Sequence, residues 1–364
     1  MTDPVGMETR RIALVTEKFY PAVDGTTTTL KQVADHLIDA GHEVLIIAPG
    51  PGLSTYRRSR VARIRPVDKP GAQVREALQK FRPDLVHVTS PATLGRKALK
   101  HAQRLGVPSL VVQHSLLNEL TREIWQLKVA ARADRVVATS AFLAAQLRSL
   151  HVDAPVWEPG VDTRAFSPDL RDQWLYDKWS RARSSEGRRV VVGYAGSLHT
   201  RHGVRRLAEL ADLSGIRLVV IGEGPQRVWL ERHLPGAQFT GALLGGDLST
   251  ALASLDVLVH PGEQETCCHA LREAGATGLP VVAPRAGGAA SVVRTLETGL
   301  LYDPSLANGL RRAVEALAGD RHRALMGARA REVSTRSWSD ACAELVAEHY
   351  APLLAARLTG AVSR

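Results

Sequence analysis

The chain has 364 residues, 45% of them hydrophobic, and a formal net charge of +10. This length is enough for two domains with a hydrophobic core each, and no apolar run approaches the roughly 18 residues that cross a bilayer. The first residues, MTDPVGMETRR, carry charges with no apolar segment behind them, and three cysteines cannot form a disulfide framework. We therefore expect a soluble, cytoplasmic protein of two domains.

The positive charge suggests anionic partners such as phosphorylated substrates, lipid headgroups or nucleic acid. No uninterrupted basic block or alternation of aromatic and basic residues favours nucleic acid, so charge alone decides little. The lysines are more informative, because all eight lie at or before Lys178. A mechanism that needs a lysine in the second half, such as a pyridoxal phosphate Schiff base there, is excluded.

Short apolar runs alternate with segments of helical periodicity in the first half of the chain. The runs have the length of buried parallel strands, and the segments between them repeat apolar residues every three or four positions. The predicted strands are 11–16, 43–49, 84–88, 109–114 and 134–139, and the predicted helices are 26–40, 71–81, 93–105, 117–132 and 141–150. This order predicts a doubly wound α/β domain.

A second series of the same kind follows the polar stretch at 169–189. Its predicted strands are 189–195, 216–222, 256–260 and 280–283, and its predicted helices are 203–212, 225–234, 246–254 and 268–277, with further helical patterns from 305 to 358. The chain thus contains two Rossmann-like domains, 1–165 and 188–339, with a boundary near 165–188. Ligands bind at the carboxyl ends of such strands, so we expect the two domains to face a central cleft.

The segment GEGPQR (222–227) has two glycines after a predicted strand, but Arg227 stands where a dinucleotide fingerprint has its third glycine. A partial match of this kind is weak evidence for a dinucleotide.

The most unusual segment, GEQETCCHALREAGATGLPVVAP, occupies residues 262–284. Glu265 follows a predicted strand, and the residues after it form a predicted helix that a glycine and a proline end. The backbone N–H groups of Thr266, Cys267 and Cys268 would open this helix, and such an end binds diphosphate. Glu273, farther along the helix, could accept hydrogen bonds from a ribose. Two carboxylates beside a helix N-terminus suit a nucleotide-diphosphate-sugar.

Several motifs resemble one protein family. Glu265 and Glu273 form a Glu-x7-Glu pair followed by GLPVVAPRAGG, which resembles the signature of retaining GT-B glycosyltransferases of family 4. Residues 11–49 are similar to the opening of GDP-mannose-dependent α-mannosyltransferases and of the related sulfoquinovosyltransferases. The motifs PGVDTRAFSP (159–168), ASLDVLVHPG (253–262) and RSWSDACAELVAEHY (336–350) agree with the same subgroup. The resemblance covers residues 11–350.

The resemblance implies a GT-B fold, a C-terminal helix of about 340–364 that returns to the first domain, and roles for four residues. It assigns Glu265 to hydroxyls of the donor sugar and Glu273 to the ribose of the nucleotide. Gly25 would lie near the diphosphate or the acceptor, and His114 would face the transferred sugar. His114 and Glu265 are the expected catalytic residues.

The two adjacent cysteines could also suggest a metal site with the histidine that follows them. Adjacent residues do not converge readily on one ion, and no second ligand pair has zinc spacing. Small apolar side chains at a helix start are the favoured interpretation of Cys267 and Cys268, although a helix N-terminus also favours a reactive thiolate. The chain contains no Asp-x-Asp motif. We therefore expect neither a metal ion nor a cofactor, and the nucleotide-sugar is the substrate.

One part of the sequence departs from the family. Family members grip the diphosphate with an Arg and a Lys, but YAGSLHTRHGVRRL (194–207) has Ser197 and His202 at these positions. Arg201 with His202 is the favoured replacement, and a specialised or weakened site is the alternative. Arg205 and Arg206 are expected to be solvated on the following helix.

The acceptor is less defined. Within 115–133, one apolar stripe consists of Leu117, Leu120, Ile124, Leu127 and Ala131. A helix that faces the core is favoured over a helix on a membrane surface, so peripheral membrane contact is not favoured. The acceptor is a soluble small molecule or a lipid.

The sequence therefore favours a retaining, metal-independent transferase that moves a hexose from a nucleoside diphosphate, GDP first, to a hydroxyl or thiol of a small molecule. A UDP-sugar-dependent transferase and a pseudoenzyme that binds a sugar nucleotide are the alternatives. Nucleic-acid binding rests on net charge alone and is not expected.

Overall fold

The computed structural model describes residues 9–21, 24–117, 120–181 and 187–358. The chain forms two compact units, Met1–Pro159 with Trp338–Arg364, and Gly160–Ser337. The polar segment around 169–181 belongs to the second unit. Residues 1–8, which entered the prediction of the cellular compartment, lie outside the described part.

The first unit contains a seven-stranded sheet with the order β3-β4-β2-β1-β5-β6-β7. All neighbouring strands are parallel except β3 and β4, which form an antiparallel pair. The strands are β1 (Arg11–Thr16), β2 (Glu43–Pro49), β3 (Thr55–Tyr56), β4 (Ser59–Ile64), β5 (Leu85–Thr89), β6 (Ser109–Gln113) and β7 (Arg135–Ala138). The five predicted strands are present, and β3 and β4 were not predicted.

Helices cover both faces of this sheet. Side chains alternate along β1, with Ile12 and Leu14 in one buried cluster and Ala13 and Val15 in another, which is why the strand is apolar from residue 12 to residue 15. The helices that precede the second unit are Gly25–Asp39, Pro70–Phe81, Thr93–Leu105, Arg122–Trp125, the π-helical Gln126–Ala130, and Ala141–Ser149.

The apolar stripe predicted for 117–131 is correct at its start, where Leu117 and Leu120 lie against the core, and wrong at its end. Trp125 and Val129 are the buried positions of this helix, whereas Leu127 is 67% exposed. The turn Gln126–Ala130 is π-helical, and its wider turn changes which side chains face the core. Residues 118–119 of the predicted helix lie outside the described part.

The C-terminal segment completes the first unit. It consists of Trp338–Glu344, the π-helical Leu345–Tyr350, and Ala351–Leu358. The Tyr350 hydroxyl lies 2.6 Å from Nδ1 of His87 on β5, and both side chains are buried. The C-terminal segment therefore belongs to the first unit.

The second unit contains a six-stranded parallel sheet with the order β10-β9-β8-β11-β12-β13. Its strands are β8 (Val190–Ala195), β9 (Ile216–Ile221), β10 (Gln238–Gly241), β11 (Val257–Val259), β12 (Val281–Pro284) and β13 (Gly299–Tyr302). The four predicted strands are present, and the edge strands β10 and β13 were not predicted. Both units are therefore Rossmann-like, which confirms the predicted fold class.

The helical segments of the second unit differ from prediction in type or in their bounds. The predicted helix 203–212 is a 3-10 helix, Val204–Leu210, and the helix after β11 begins at His269 instead of residue 268. The helical segments are Pro168–Leu170, Gln173–Ser180, Thr200–His202, Val204–Leu210, Arg227–His233, Gly245–Ala253, His269–Ala276, Ala289–Val292, Gly309–Gly319 and Arg323–Val333.

A search of the described helices finds none with the length and apolarity that a membrane crossing requires.

Candidate active site

The order of the second sheet places a candidate site between β8 and β11. The chain moves outward from β8 to β9 on one side and from β11 to β12 on the other, so the loops after β8 and β11 diverge and leave a crevice. Ligands of open α/β sheets bind in this position. The loop after β8 carries His202, and the loop after β11 carries Glu265.

His202 and Glu265 contact each other across this crevice. Nδ1 of His202 lies 2.8 Å from Oε1 of Glu265, and both side chains are about one-fifth to one-quarter exposed. Arg201 donates a hydrogen bond from Nε to Nε2 of His202 at 3.1 Å, and its side chain reaches solvent. Arg201, His202 and Glu265 therefore form a continuous chain of polar contacts.

A second histidine contacts the same carboxylate oxygen. Nε2 of His260, the residue after β11, lies 3.2 Å from Oε1 of Glu265. The His260 ring is buried and stacks on Tyr194 of β8, with ring centroids 6.3 Å apart. The Tyr194 hydroxyl donates to the carbonyl oxygen of Ser197 at 3.0 Å, which connects the stack to the loop after β8.

The two histidines determine the ionisation of Glu265. Burial by itself raises the pKa of this carboxyl, but the contacts with His202 and His260 outweigh it and hold the pKa well below its ordinary value. Glu265 is therefore a carboxylate near neutral pH, and it can only accept hydrogen bonds.

Four glycines provide the space for this arrangement. A Cβ atom on Gly203 would lie 2.5 Å from the Pro261 carbonyl oxygen, and one on Gly262 would lie 3.0 Å from Oε1 of Glu265. Gly287, at φ +56°, and Gly288 close over the loop from the other side, where a Cβ on Gly287 would lie 2.6 Å from the Glu263 carbonyl oxygen. The loop that carries Glu265 can pack this closely only because these positions lack side chains.

The helix His269–Ala276 follows this loop and carries Glu273. Burial raises the pKa of Glu273 to about 7, so this carboxyl exchanges its proton near neutral pH. Thr266 and Cys267 precede the helix, and Cys268 is its N-cap at φ +53°. The three N–H groups predicted to open the helix therefore lie in the loop before its first residue.

Both cysteines of this loop are buried, at 7% and 4% exposure for Cys267 and Cys268. Cys268 belongs to the hydrophobic cluster on one face of the second sheet, together with Leu271 and Ala274. This packing agrees with small apolar side chains at a helix start. The thiol groups face protein interior rather than solvent.

The glycines of GEGPQR allow close contacts between backbone segments. A Cβ on Gly222 would lie 1.9 Å from the Gly196 carbonyl oxygen, and one on Gly224 would lie 2.6 Å from the Leu198 carbonyl oxygen. The Leu198 N–H also donates to the Glu223 carbonyl oxygen at 2.9 Å. These glycines therefore allow the loops after β8 and β9 to approach each other, which accounts for them without a dinucleotide.

The predicted solvation of Arg206 is wrong. Its side chain is 21% exposed, forms ion pairs with Glu209 and Glu263 at 3.1 and 3.2 Å, and lies over the Tyr302 ring. Arg205 is exposed and lies over the Trp229 ring. Arg206 is thus occupied by two carboxylates, whereas Arg201 and Arg205 are exposed.

Ser197 lies beside the crevice and is exposed. The resemblance leads to the expectation of an arginine at this position.

Gly25 and His114 lie in the first unit, at the carboxyl edge of its sheet. Gly25 begins the helix Gly25–Asp39, whose N-cap Asp24 accepts a hydrogen bond from the Thr27 N–H. His114 follows β6 and is 2% exposed. Beside it, the hydroxyls of Ser90 and Ser115 lie 3.1 Å apart.

The structure thus brings Arg201, His202 and Glu265 into one chain of contacts and places Glu273 on the following helix. His260 and the glycine pair 287–288 were not predicted from the sequence as parts of the site. A histidine at the end of a buried strand and the Gly-Gly of the quoted motif were the available signals. Among the residues that the structure describes, no group of three His, Cys, Asp or Glu side chains could hold a metal ion.

Two family models match the chain. The model described as Glycosyltransferase Family 4 matches residues 23–165, and the model described as Glycosyl transferases group 1 matches residues 189–320. The two matches correspond to the two Rossmann-like domains.

The chain is similar along nearly its whole length to a GDP-mannose-dependent alpha-mannosyltransferase of Mycolicibacterium smegmatis. The two are 38% identical over 376 residues, which cover 95% of this chain and 98% of that protein. The sulfoquinovosyl transferase SQD2 of Arabidopsis thaliana is 28% identical over 394 residues, covering 96% of this chain and 75% of the plant protein.

Solved structures show the same architecture. Alr3699/HepE of Anabaena, solved in complex with UDP and glucose, superposes with a TM-score of 0.76 at 18% identity, covering 94% of this chain and 100% of that one. At this identity the likeness shows the fold, which is GT-B.

Proposed function

This chain belongs to glycosyltransferase family 4, and we propose that it is a retaining, metal-independent mannosyltransferase that uses GDP-mannose and a small-molecule acceptor with a hydroxyl or thiol group. The observation that carries the proposal is the Glu265 carboxylate, held beside the crevice of the second sheet by His202. An ionised acceptor in this position suits the hydroxyls of a donor sugar. The relatives' use of GDP-mannose supports the choice of donor.

Arg201 is our candidate for the charge that stabilises the leaving diphosphate. Its Nε atom is bound to His202, which orients the guanidinium, while the rest of the group faces solvent. The N–H groups at the start of His269–Ala276 add positive potential in the same loop. These groups substitute for the Arg and Lys that family members have at positions 197 and 202.

The reaction in this proposal begins with departure of GDP from the anomeric carbon of mannose, which gives that carbon oxocarbenium character. The acceptor attacks from the face that the diphosphate leaves, and a diphosphate oxygen takes the acceptor proton. The new glycosidic bond therefore keeps the α configuration. Gly25 and His114 keep the roles that the resemblance assigns to them as predictions.

Two measurements test the donor and the stereochemistry. Thermal unfolding with GDP, UDP and ADP in turn should show stabilisation by GDP, since a ligand of the folded state raises the unfolding temperature. NMR of the product formed from GDP-mannose should show an α-linked mannoside. Stabilisation by UDP and not by GDP would overturn the donor, and a β-linked product would overturn retention.

A sugar-nucleotide-binding pseudoenzyme is the second candidate, favoured by Ser197 in place of the expected arginine. GDP would then stabilise the protein, but no mannose would pass to any acceptor or to water. Transfer that appears only after Ser197→Arg and His202→Lys would support this candidate.

A further inference from the structure

Two histidines approach one oxygen of Glu265. Nδ1 of His202 lies 2.8 Å and Nε2 of His260 lies 3.2 Å from Oε1. The loops after β8 and β11 supply one histidine each, so the carboxylate is held from both sides of the crevice. Within the described residues, no hydrogen bond to Oε2 of Glu265 is found.

The tautomer of His202 follows from its neighbours. Arg201 Nε always carries a hydrogen, so Nε2 of His202 accepts this bond and carries no proton. The ring proton then lies on Nδ1 and is donated to Glu265.

His260 requires the opposite tautomer. Both of its ring nitrogens are buried and neither makes a hydrogen bond of good geometry among the described residues, but Nε2 lies 3.2 Å from Oε1 of Glu265. A proton on Nδ1 would leave a buried donor unsatisfied and would place two lone pairs, of Nε2 and Oε1, against each other. Stacking on Tyr194 fixes the plane of this ring.

We propose that His260 and His202 are positioning residues of opposite tautomer, which together fix Oε1 of Glu265 and leave Oε2 as the atom that selects a donor-sugar hydroxyl. Neither histidine needs to touch the sugar, because both act through the carboxylate. This inference rests on the proposed function where it assigns Glu265 to the donor sugar. The tautomers themselves are a property of the protein without any ligand.

Amide side chains test the tautomers, because the amide nitrogen of Asn replaces Nδ1 of histidine and that of Gln replaces Nε2. His202→Asn and His260→Gln keep a donor at the proposed atom, whereas His202→Gln and His260→Asn move it. At each position we expect kcat/KM for GDP-mannose to fall about 10- to 100-fold further in the variant that moves the donor than in the variant that keeps it, the range for a hydrogen bond to a charged group. Equal losses for Asn and Gln at either position, or the reverse preference there, would overturn the proposal.

A second readout needs no donor and separates this inference from the proposed function. Nitrogen-15 NMR of imidazole rings distinguishes the two tautomers, and the His202→Asn and His260→Gln spectra assign the signals. We expect His202 as the Nδ1–H form and His260 as the Nε2–H form in the ligand-free protein. The inference would be overturned if both rings had the same tautomer or if either ring were doubly protonated. The expected spectra in a protein without transferase activity would overturn only the proposed function.

Discussion

Gly288 donates its backbone N–H to the carbonyl oxygen of Glu265 at 2.7 Å. The Gly-Gly pair after β12 thus closes over the loop after β11 at the residue proposed to bind the donor sugar. A Cβ on Gly288 would lie 2.9 Å from the Thr266 carbonyl oxygen and 3.0 Å from Sγ of Cys268. Neither neighbour can move without displacing the loop.

Gly287→Ala and Gly288→Ala should therefore lower transfer sharply. Alanine at φ +56° adds about 1 to 2 kcal/mol of backbone strain at position 287, whereas position 288 tests space alone. Kinetics with GDP-mannose and urea unfolding would separate loss of activity from loss of stability. Gly319→Ala is the matched control, because a Cβ there meets nothing within 4 Å. Full activity in both variants would show that the contact does not hold Glu265.

Glu273→Ala should weaken GDP binding by about 1.5 to 3 kcal/mol, the range for a lost hydrogen bond to a charged group. Glu265→Ala should lower transfer and leave GDP affinity nearly unchanged, because the proposed contact of Glu265 is with the sugar. Calorimetry with GDP and steady-state kinetics with GDP-mannose measure the two effects. Equal losses of GDP affinity would contradict this division of roles.

The raised pKa of Glu273 predicts a dependence of stability on pH. The folded protein holds this proton up to about pH 7, whereas the unfolded chain loses it near the ordinary value of 4.5. Between these values the folded state binds more protons, so the free energy of unfolding falls as pH rises. Urea unfolding of wild type and Glu273→Gln at pH 5 and pH 7.5 measures this. The stability of wild type relative to the variant should be lower at pH 7.5, and an unchanged difference would contradict the assignment.

Arg201→Ala should cost about 2 to 4 kcal/mol of transition-state stabilisation if Arg201 contacts the leaving diphosphate. Arg205→Ala is the control, because Arg205 is an exposed arginine of the same segment that lies on Trp229. The ratio of kcat/KM for GDP-mannose between each variant and wild type gives the two values. Similar small losses in both would leave the N–H groups of the loop and helix start as the main stabilisers of the diphosphate.

Chelation should leave turnover unchanged. The proposed stabilisers of the diphosphate are Arg201 and backbone N–H groups, and neither requires a divalent cation. Initial rates with and without EDTA, followed by addition of Mg2+ or Mn2+, provide the measurement. Activity that EDTA removes and a divalent cation restores would rule out a metal-independent mechanism.

The central strands and the Glu-x7-Glu segment could be predicted because each is defined by residues that are close together in the sequence. The run 12–15 is apolar at every position, as a strand covered on both faces must be. The strand Ser59–Ile64 has arginines within it and the edge strand Gln238–Gly241 is only partly covered, so neither contains such a run. The π-helical turn at 126–130 has no pattern that a helical period of 3.6 detects.

The candidate site could be predicted only in part, because its contacts join residues that are distant in the sequence. Glu265 and His202 are 63 residues apart, and their contact depends on β8 and β11 being neighbours in the sheet. The order of the strands along the chain does not show which side chains of the loops after β8 and β11 contact each other. His260 was missed because its role requires both the stack on Tyr194 and the position of Glu265.

The contact between His87 and Tyr350 bears on synthesis of the protein. It belongs to a unit whose sheet is complete by Ala138 but whose helical cover includes residues after Ser337. Domains usually fold as units while the chain emerges from the ribosome, the N-terminal one first. Here the contiguous Gly160–Ser337 unit is synthesised before residue 338. The face of the first sheet that contains Ile12 and Leu14 is fully covered only after Cys342, Leu345 and Tyr350 have been synthesised. The domain that is translated first is thus the one that finishes folding last.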